Sequence, residues 1–541
     1  MMSVLPPAQV TEIHRLMTEA AARYNQGDFR EAGQLCQRVL ELFPDFPQAL
    51  HLSGLCQKDQ GEWDAASVAL LRAAKLSPNE AQIYHDLGDV YSKQGRWLEA
   101  AQAYLRAIEL RPGYPDSYVN LGAVYENISD HEQAERAYRR ALELNPQLAA
   151  AAASLAAMCE SGNRLQEAAQ YVECALREDV NDPVANLTQA QLDFRAGKHT
   201  EAGQRLEALL QRPLAARNRA LALARLGTIY ETFTEYERAF KAFQASKQAL
   251  NVGDALASGP GVYTLDAAQR ISGHLPALMA EVHTDKPDPV PAPVFLVGFP
   301  RSGTTLLDQI LSSHPRLWVL EEKENLRDLL RDFVTTDSGL ERLAKLASTG
   351  LDEYRKKYWA RVAESRPESV SDKIFVDKLP LNTVFMPLIA RLFPGARFIY
   401  AVRDPRDVVL SCFMRAFGMN EAMRNFLTLE GAARYYAAVM RVGIDATQKL
   451  GKSVHVIRYE TLISDPESES RRLCEFLDLG WEAGMLHFQE TARKRRINTP
   501  SYHQVVQPLY TSSRERWRRY EKHLHPVLPL LQPFIEYFGY S

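Results

Sequence analysis

The stretch VFLVGFPRSGTTLLDQIL, from Val294 to Leu311, decides the fold of the C-terminal half of this chain. Its first four residues form a short apolar run that is typical of a buried parallel strand. A loop from Gly298 to Gly303 follows, and a helix is predicted to begin at Thr304. This order presents backbone N–H groups and a helix N-terminus to a phosphate. The stretch therefore predicts an α/β domain with a phosphate-binding loop.

The loop has the glycine spacing of the nucleotide-triphosphate motif G-x-x-x-x-G-K-[ST] but lacks its lysine. Thr304 stands at the lysine position, Thr305 supplies the final hydroxyl, and the cation is Arg301. This suits a donor with a 5′-phosphosulfate, which has no γ-phosphate to clamp and no obligatory magnesium. We expect Arg301, Ser302, Gly303, Thr304 and Thr305 to bind the donor, and we expect no metal. The alternative is a nucleotide triphosphatase or kinase, which magnesium-dependent hydrolysis of ATP would favour.

A second strand–turn–helix pattern, ARFIYAVRDPRDVVLSCF from Ala396 to Phe413, places Arg403 at the end of a strand. Open α/β sheets bind their ligands at this end. Ser411 follows eight residues later, inside the next helix. A guanidinium and a hydroxyl that converge on one dianion suit a separate 3′-phosphate. Asp404 and Asp407 are expected to cap this helix or to charge its N-terminus.

The block PRSGTT resembles the 5′-phosphosulfate loop of the sulfotransferase superfamily, and Arg403 with Ser411 resembles its 3′-phosphate motif. The resemblance implies a P-loop-like α/β domain with a central parallel sheet. It also implies that 3′-phosphoadenosine 5′-phosphosulfate (PAPS) is the donor and that PAP is the product. Tyr459, in a matching YE-x-L segment, either contacts the adenine or is a buried structural tyrosine. Ser501, in a weaker match to the cofactor-covering loop, is a candidate for a donor contact.

Sulfuryl transfer needs a base for the acceptor proton and cations for the transferring group and the departing phosphate. The segment HPRLWVLEEKENL resembles the protein-tyrosine sulfotransferases, whose catalytic glutamate matches Glu322, with Glu321 as the second candidate. Since neighbours on a strand face opposite ways, one of the two is expected to point elsewhere. The alternative to a catalytic role is that both glutamates are solvated charges at the end of a strand. Lys378 corresponds to the family lysine that assists the leaving phosphate, beside Arg301. His314 is expected to be structural.

The N-terminal half repeats every 34 residues. The prolines at this interval are Pro44, Pro78, Pro112 and Pro146, and the turn residues are Gly27, Gly61, Gly95, Ser129, Asn163 and Gly197. About seven helix–turn–helix units are predicted, and Tyr118 to Pro146 closely resembles a tetratricopeptide repeat (TPR). Such repeats form an all-α superhelix whose groove usually holds a peptide or protein segment. Self-association or stiffening of the catalyst is the alternative role.

The predicted domains are the repeats at 13–253, a bridging helix with a proline-rich linker at 254–291, and the sulfotransferase domain at 292–541. The net charge of −3 gives no reason to expect nucleic-acid binding. Six scattered cysteines without a CxxC pair, and no signal peptide, predict a cytoplasmic protein. No apolar stretch is long enough to predict a membrane span. Val319 and Gln507 stand where the lumenal tyrosylprotein enzymes carry cysteine and lysine.

The whole chain resembles the tetratricopeptide-repeat sulfotransferases of bacteria. We expect it to sulfate a hydroxyl, with tyrosine of a protein or peptide docked on the repeats as the favoured acceptor. The alternatives are a small-molecule or carbohydrate hydroxyl, or a scaffold that binds nucleotide without turnover. The central hypothesis is that two separate anion cradles, at Arg301–Thr305 and at Arg403 with Ser411, hold opposite ends of one nucleotide. Basic clusters at 493–496 and 514–519 either bind an acidic acceptor or form a solvated face, and the sequence leaves the oligomeric state open.

Overall fold

A computed structural model of the protein describes residues 6–251, 261–280, 292–367, 372–494 and 514–541. The chain divides into two compact units, Met1–Leu192 and Asp193–Ser541. Most of the predicted proline-rich linker, and Ser501 with the rest of its loop, lie outside the described residues. Among the helices that are described, none combines the length and apolarity needed to cross a bilayer.

Between Pro7 and Asn251 the chain forms fourteen helices, the number expected of seven helix–turn–helix units. Their helices are α1 (Pro7–Asn25), α2 (Phe29–Leu42), α3 (Pro47–Asp59), α4 (Trp63–Leu76), α5 (Ala81–Lys93), α6 (Trp97–Leu110), α7 (Pro115–Asn127), α8 (His131–Leu144), α9 (Ala149–Ser161), α10 (Leu165–Glu178), α11 (Pro183–Arg195), α12 (His199–Leu210), α13 (Ala216–Thr232) and α14 (Tyr236–Asn251).

The residues that recur at this interval occupy the tight turns and the helix crossings. Gly95 has a φ of +72°, and Ser129 at the equivalent turn has a φ of +61°. This is the left-handed region, which glycine adopts at little cost. At a crossing, a Cβ on Gly88 would lie 2.6 Å from the Tyr104 ring. The prediction that small residues mark turns and close crossings is confirmed.

The boundary between the two units falls inside the predicted repeat region 13–253, not at its end. The last hairpin is built into the second unit. Phe243 of α14 belongs to the same hydrophobic core as Phe295 of the sheet, and the Phe240 and Phe413 rings lie 5.4 Å apart. A repeat interval indicates that a hairpin forms but not which neighbour its outer face buries, so the domain bounds 13–253, 254–291 and 292–541 stay a prediction.

Lys247 of α14 makes a buried contact with a backbone carbonyl inside the second unit. Its ammonium donates to the carbonyl oxygen of Arg415 at 2.6 Å, and the side chain is buried. Burial lowers the pKa of Lys247 from 10.5 to about 8. The folded state therefore binds the proton less tightly than the unfolded state, which costs about 3 kcal/mol of stability below pH 8.

Replacing this lysine tests that cost. The free energy of unfolding of the wild type should rise relative to Lys247→Met by about 3 kcal/mol between about pH 7 and pH 10.5, because the buried charge disappears as pH rises through that window. Denaturant unfolding of both proteins at a series of pH values measures the difference. A difference that stays constant with pH would contradict the prediction.

The second unit contains a parallel sheet of five strands in the order β2-β3-β1-β4-β5, which confirms the predicted sheet. The strands are β1 (Val294–Gly298), β2 (Leu317–Glu321), β3 (Ile374–Lys378), β4 (Arg397–Val402) and β5 (Val454–Arg458). The central strand β1 is buried along its whole length. All five carboxyl ends lie at one edge of the sheet, where an open α/β sheet binds its ligand.

Helices surround this sheet. They are α15 (Leu265–Met279), α16 (Thr304–Ser312), α17 (Arg327–Phe333), α18 (Asp337–Lys345), α19 (Ser348–Glu364), α20 (Met386–Leu392), α21 (Pro405–Met414), α22 (Glu421–Arg424), α23 (Leu429–Leu450), α24 (Tyr459–Ser464), α25 (Pro466–Phe476), α26 (Phe488–Lys494), α27 (Glu521–Leu524) and α28 (Leu528–Tyr537). Short 3₁₀ segments include Pro380–Phe385 and Arg516–Tyr520.

Candidate active site

The predicted phosphate-binding loop begins where β1 ends and has no room for a side chain at its first residue. A Cβ on Gly298 would lie 2.7 Å from the backbone oxygen of Ala401, its partner in the β1–β4 register. The Thr383 hydroxyl donates to the Gly298 carbonyl at 2.8 Å. The end of β1 is therefore fixed from both sides.

The loop then turns through two left-handed residues, Arg301 (φ +72°) and Gly303 (φ +96°), before α16 begins at Thr304. Turns of this kind direct successive backbone N–H groups into one concavity, which binds anions. The Ser302 hydroxyl oxygen is buried and has no hydrogen-bond partner among the described residues. Thr304 and Thr305 are buried in the first turn of α16. The residues predicted to hold the 5′ group are thus adjacent at a helix N-terminus.

The second predicted cradle adjoins the first. The Arg301 Nε donates to the Ser411 hydroxyl at 3.0 Å, and the Arg403 Nη1 donates to the Arg301 carbonyl at 3.4 Å. Arg403 follows β4, and Ser411 lies in α21. The sequence pattern separated the two cradles by about a hundred residues, whereas the fold joins them through the Arg301 side chain.

Tyr459 lies against both cradles. Its ring is so close to the loop that a Cβ on Gly303 would approach it to 2.6 Å, and the Arg403 guanidinium carbon lies 4.7 Å from the ring centroid. The aromatic face therefore borders the site at the start of α24. This position suits a contact with a nucleotide base.

Two aspartates support the cradle at Arg403. Asp404 caps α21 by accepting from the backbone N–H of Arg406, as predicted. Asp407 is buried, and its carboxylate accepts from the backbone N–H groups of Glu515 and Trp517, both at 2.9 Å. The same carboxylate lies 3.5 Å from the Arg403 Nη2. Asp407 thus ties the C-terminal segment to Arg403, a role that the helix-charge interpretation did not include.

The predicted base and the predicted lysine contact each other. The ammonium of Lys378 donates to Glu322 Oε1 at 2.7 Å and to Glu321 Oε1 at 3.2 Å. The Lys378 side chain is fully buried, whereas the exposed fractions of the Glu321 and Glu322 side chains are 13% and 41%. Burial lowers the pKa of Lys378, but the fields of Glu322, Glu321 and Asp308 outweigh it, so the net effect is a raised pKa.

The expectation that one of the two glutamates points elsewhere is wrong. Glu321 is the last residue of β2, and Glu322 has a φ of +50°, outside the extended region. The left-handed turn ends the alternation of a strand and brings both carboxylates to one side. Glu322 is held there because its backbone N–H donates to the Lys378 carbonyl at 2.7 Å.

His314 is structural, as predicted. Its Nδ1 accepts from the backbone N–H of Arg316 at 3.1 Å, and its Nε2 lies 2.9 Å from the Gly480 carbonyl. Because Nδ1 is an acceptor, the proton must be on Nε2. Both ring nitrogens are therefore occupied by backbone groups, and the residue is buried.

Sequence reasoning missed the supporting residues. The Thr383 hydroxyl donates to the Gly298 carbonyl. The Glu460 carboxylate accepts from the backbone N–H of Asp404. A local sequence pattern does not predict such contacts, because the two partners are far apart in the chain. The Tyr540 hydroxyl donates to the other oxygen of Glu460 at 2.8 Å.

Other predictions have mixed outcomes. Ser501 and its loop lie outside the described residues, so its role stays a prediction. Of the basic cluster at 514–519, Arg516 pairs with Glu231 and Arg518 with Glu515.

Among described residues, one group of side chains, His85, Asp86 and Asp89, is close enough to share a metal ion, but the Lys58 ammonium already lies within 4 Å of both aspartates.

Comparison with known proteins agrees with this architecture. Residues 293–483 match the model of the sulfotransferase family, and residues 57–95, 79–147 and 119–183 match tetratricopeptide-repeat models. The chain therefore contains tetratricopeptide repeats and a sulfotransferase-family domain.

Individual relatives match parts of the chain. An uncharacterized protein of Aquifex aeolicus (strain VF5) is 30% identical over 371 residues, which is 65% of this chain and 46% of that protein. Protein-tyrosine sulfotransferase A of Caenorhabditis elegans is 26% identical over 243 residues, which is 41% of this chain and 60% of that enzyme. The chain thus spans about half the length of these curated relatives. The crystal structure of MamA aligns with 30% of this chain and 94% of its own, at 28% identity and a TM-score of 0.29.

Proposed function

We propose that this chain, a sulfotransferase-family domain behind tetratricopeptide repeats, transfers the sulfuryl group of PAPS to a hydroxyl acceptor. The observation that carries the proposal is the contact between the two cradles. Because Arg301 reaches Ser411 and Arg403 reaches the Arg301 carbonyl, one bisphosphorylated adenosine can contact both. Such a nucleotide carries phosphates at its 3′ and 5′ positions, and a guanidinium at each cradle matches them.

The residues present fit this donor. The buried Ser302 hydroxyl oxygen needs a partner that the described residues do not supply, and buried polar atoms in folded proteins nearly always have one. The loop N–H groups, Thr304 and Thr305 would hold the 5′ group, and Arg403 with Ser411 the 3′-phosphate. Tyr459 would border the adenine. Two arginines close to a buried loop compensate the negative charge of such a ligand.

The chemistry follows from the positions of Glu322 and Lys378. When PAPS is bound, it supplies a sulfur that bonds to the acceptor oxygen as its bond to the phosphate oxygen breaks. Glu322 is the more exposed of the two glutamates, so it can reach an acceptor hydroxyl and take its proton. Lys378 is buried beside it and places a positive charge where the departing phosphate gains negative charge. Arg301 neutralises the transferring group.

We propose tyrosine of a protein or peptide as the acceptor. Two observations support this choice: several relatives are named protein-tyrosine sulfotransferases, and tetratricopeptide repeats are interaction modules. The repeat unit carries a pocket of about 470 Å³ whose lining includes Trp63, Trp97, Lys58 and Lys93. Half-buried tryptophan side chains beside charged residues suit a surface that docks peptides.

Removing these indoles tests the docking role. Trp63→Ala/Trp97→Ala is expected to raise the KM for a long peptide acceptor by about 10-fold or more, because buried tryptophans dominate such interfaces. The kcat and the affinity for PAP should stay unchanged. The matched control is Leu98→Ala, since Leu98 is 67% exposed and absent from the pocket lining. An unchanged KM in a folded double variant would show that the acceptor does not dock there.

The activity itself is tested by incubating the protein with PAPS labelled in its sulfuryl group and a library of peptides, sugars and phenols. Label on tyrosine peptides supports the proposal. Label on a sugar or small phenol alone would move the acceptor to the alternative class. Nucleotide binding without any labelled product would favour the scaffold hypothesis.

We also propose that the protein works in a reducing, cytoplasmic compartment. All six cysteines are free thiols, and five of them are buried. A buried thiol without a disulfide partner is the usual state of cysteine where disulfides are not formed. Mass spectrometry of the protein isolated and denatured in the presence of an alkylating reagent would show six modified thiols.

A further inference from the structure

The two glutamates beside Lys378 differ in how the backbone holds them. Glu321 is the last residue of the β2–β3 ladder, directly opposite Lys378 in the register. Glu322 lies beyond the ladder, in a left-handed turn, and is three times as exposed. The inner glutamate is thus part of the sheet, whereas the outer one lies beyond it and is more exposed to solvent.

Proton transfer to Glu322 would leave Lys378 without its nearest partner. In the described state the ammonium is 2.7 Å from Glu322 and 3.2 Å from Glu321. Once Glu322 takes the acceptor proton it is neutral, and its Coulomb attraction for the ammonium disappears. The carboxylates that remain are Glu321 and, through its field, Asp308. A fully buried ammonium that loses counter-charge is less stable, so without Glu321 it would move away or lose its proton more readily.

We propose that Glu321 is a positioning residue that keeps Lys378 charged and in place while Glu322 acts as the base. This assignment rests on the proposed function. Glu321 gives up no proton and contacts no reacting atom. Its carboxylate holds the ammonium at the end of β3 when Glu322 becomes neutral, so that Lys378 can stabilise the departing phosphate oxygen. Glu321 is therefore distinct from Glu322 in role, although it is adjacent in sequence.

If Glu321 has this role, Glu321→Gln should raise the affinity for PAP and lower kcat. PAP should bind about 3- to 10-fold more tightly, because a negative charge beside an anion site is removed. The kcat should fall about 10- to 100-fold, because the ammonium loses its support during proton transfer. The alkaline limb of the kcat profile should also shift to lower pH, since one of the carboxylates that raise the pKa of Lys378 is gone.

Isothermal titration with PAP and a pH series of turnover measure these effects on the full-length protein. Glu321→Asp restores the charge and should recover part of kcat. Glu324→Gln, which removes a carboxylate from the same loop and not from the Lys378 contacts, should behave as the wild type.

Weaker PAP binding together with lower turnover in Glu321→Gln would indicate general damage and overturn the assignment, as would wild-type values of both. Wild-type protein that transfers no sulfuryl group to any acceptor would contradict the proposed function instead. The PAP titration then still decides the charge role of Glu321, since unchanged affinity in the variant would overturn it.

Discussion

Glu322→Gln is expected to lower the rate of sulfuryl transfer by about 10³-fold while the affinity for PAP stays within a few-fold of the wild type. General-base catalysis typically contributes 10²- to 10⁴-fold, and the amide cannot accept the acceptor proton. The proposed nucleotide contacts lie in the loop after β1 and at Arg403, so the substitution leaves them intact. Single-turnover kinetics with labelled PAPS measure the rate, and calorimetry measures PAP binding.

The neighbouring carboxylates provide the controls for this variant. Glu324→Gln should retain full activity, and Glu321→Gln should lose less than Glu322→Gln, because Glu321 supports Lys378 and accepts no proton. If Glu321→Gln were the more damaged of the two, the base would be Glu321. If Glu322→Gln retained its activity, Glu322 would not be the base, despite its contact with Lys378 and its exposure.

Arg403→Met is expected to abolish the preference for a nucleotide that carries a 3′-phosphate. PAP should bind about 100-fold more weakly, because charge-assisted hydrogen bonds to a phosphate are worth about 1.5–3 kcal/mol each. Adenosine 5′-monophosphate should lose no more than about 3-fold, since the variant also removes the 3.4 Å hydrogen bond from Arg403 to the Arg301 carbonyl in the 5′ loop. The buried Asp407 keeps its two backbone donors, Glu515 and Trp517, so the segment around it should stay folded. Calorimetric titration with both nucleotides gives the two affinities.

Arg406→Met is the matched control for Arg403. The Arg406 guanidinium binds Asp404 through two hydrogen bonds and the Ser541 carbonyl at 2.8 Å, and it stacks on the Trp517 ring. It should influence stability but not the choice between the two nucleotides. Equal loss of discrimination in both variants would mean that the Arg403 cradle is not the 3′-phosphate site.

The fold could be predicted because its signals are local. Each hairpin of the repeats needs a turn residue such as Gly95 and a small residue such as Gly88 at the helix crossing. Both kinds of residue therefore recur every 34 residues in the sequence. The strand–loop–helix at Val294–Leu311 is equally local. The boundary at Leu192 is not, since it depends on which surface the last hairpin buries.

The same distinction explains what could be predicted of the site. Arg301 and Arg403 each follow a strand and Lys378 ends one, so a sequence pattern finds them one at a time. The hydrogen bond from Arg301 to Ser411 spans residues from two separate patterns, and only the strand order β3-β1-β4 brings them together. The left-handed φ of Glu322 is likewise invisible in the sequence, because glutamate seldom adopts it.

Whether the two cradles hold one bisphosphorylated adenosine is decided by a calorimetric comparison of PAP with ATP and adenosine 5′-monophosphate in the absence of magnesium. We expect one site per chain and a Kd for PAP about 100-fold lower than that for either other nucleotide, since only PAP supplies a phosphate to each cradle. Equal affinity for the three nucleotides, or two independent phosphate sites, would contradict it.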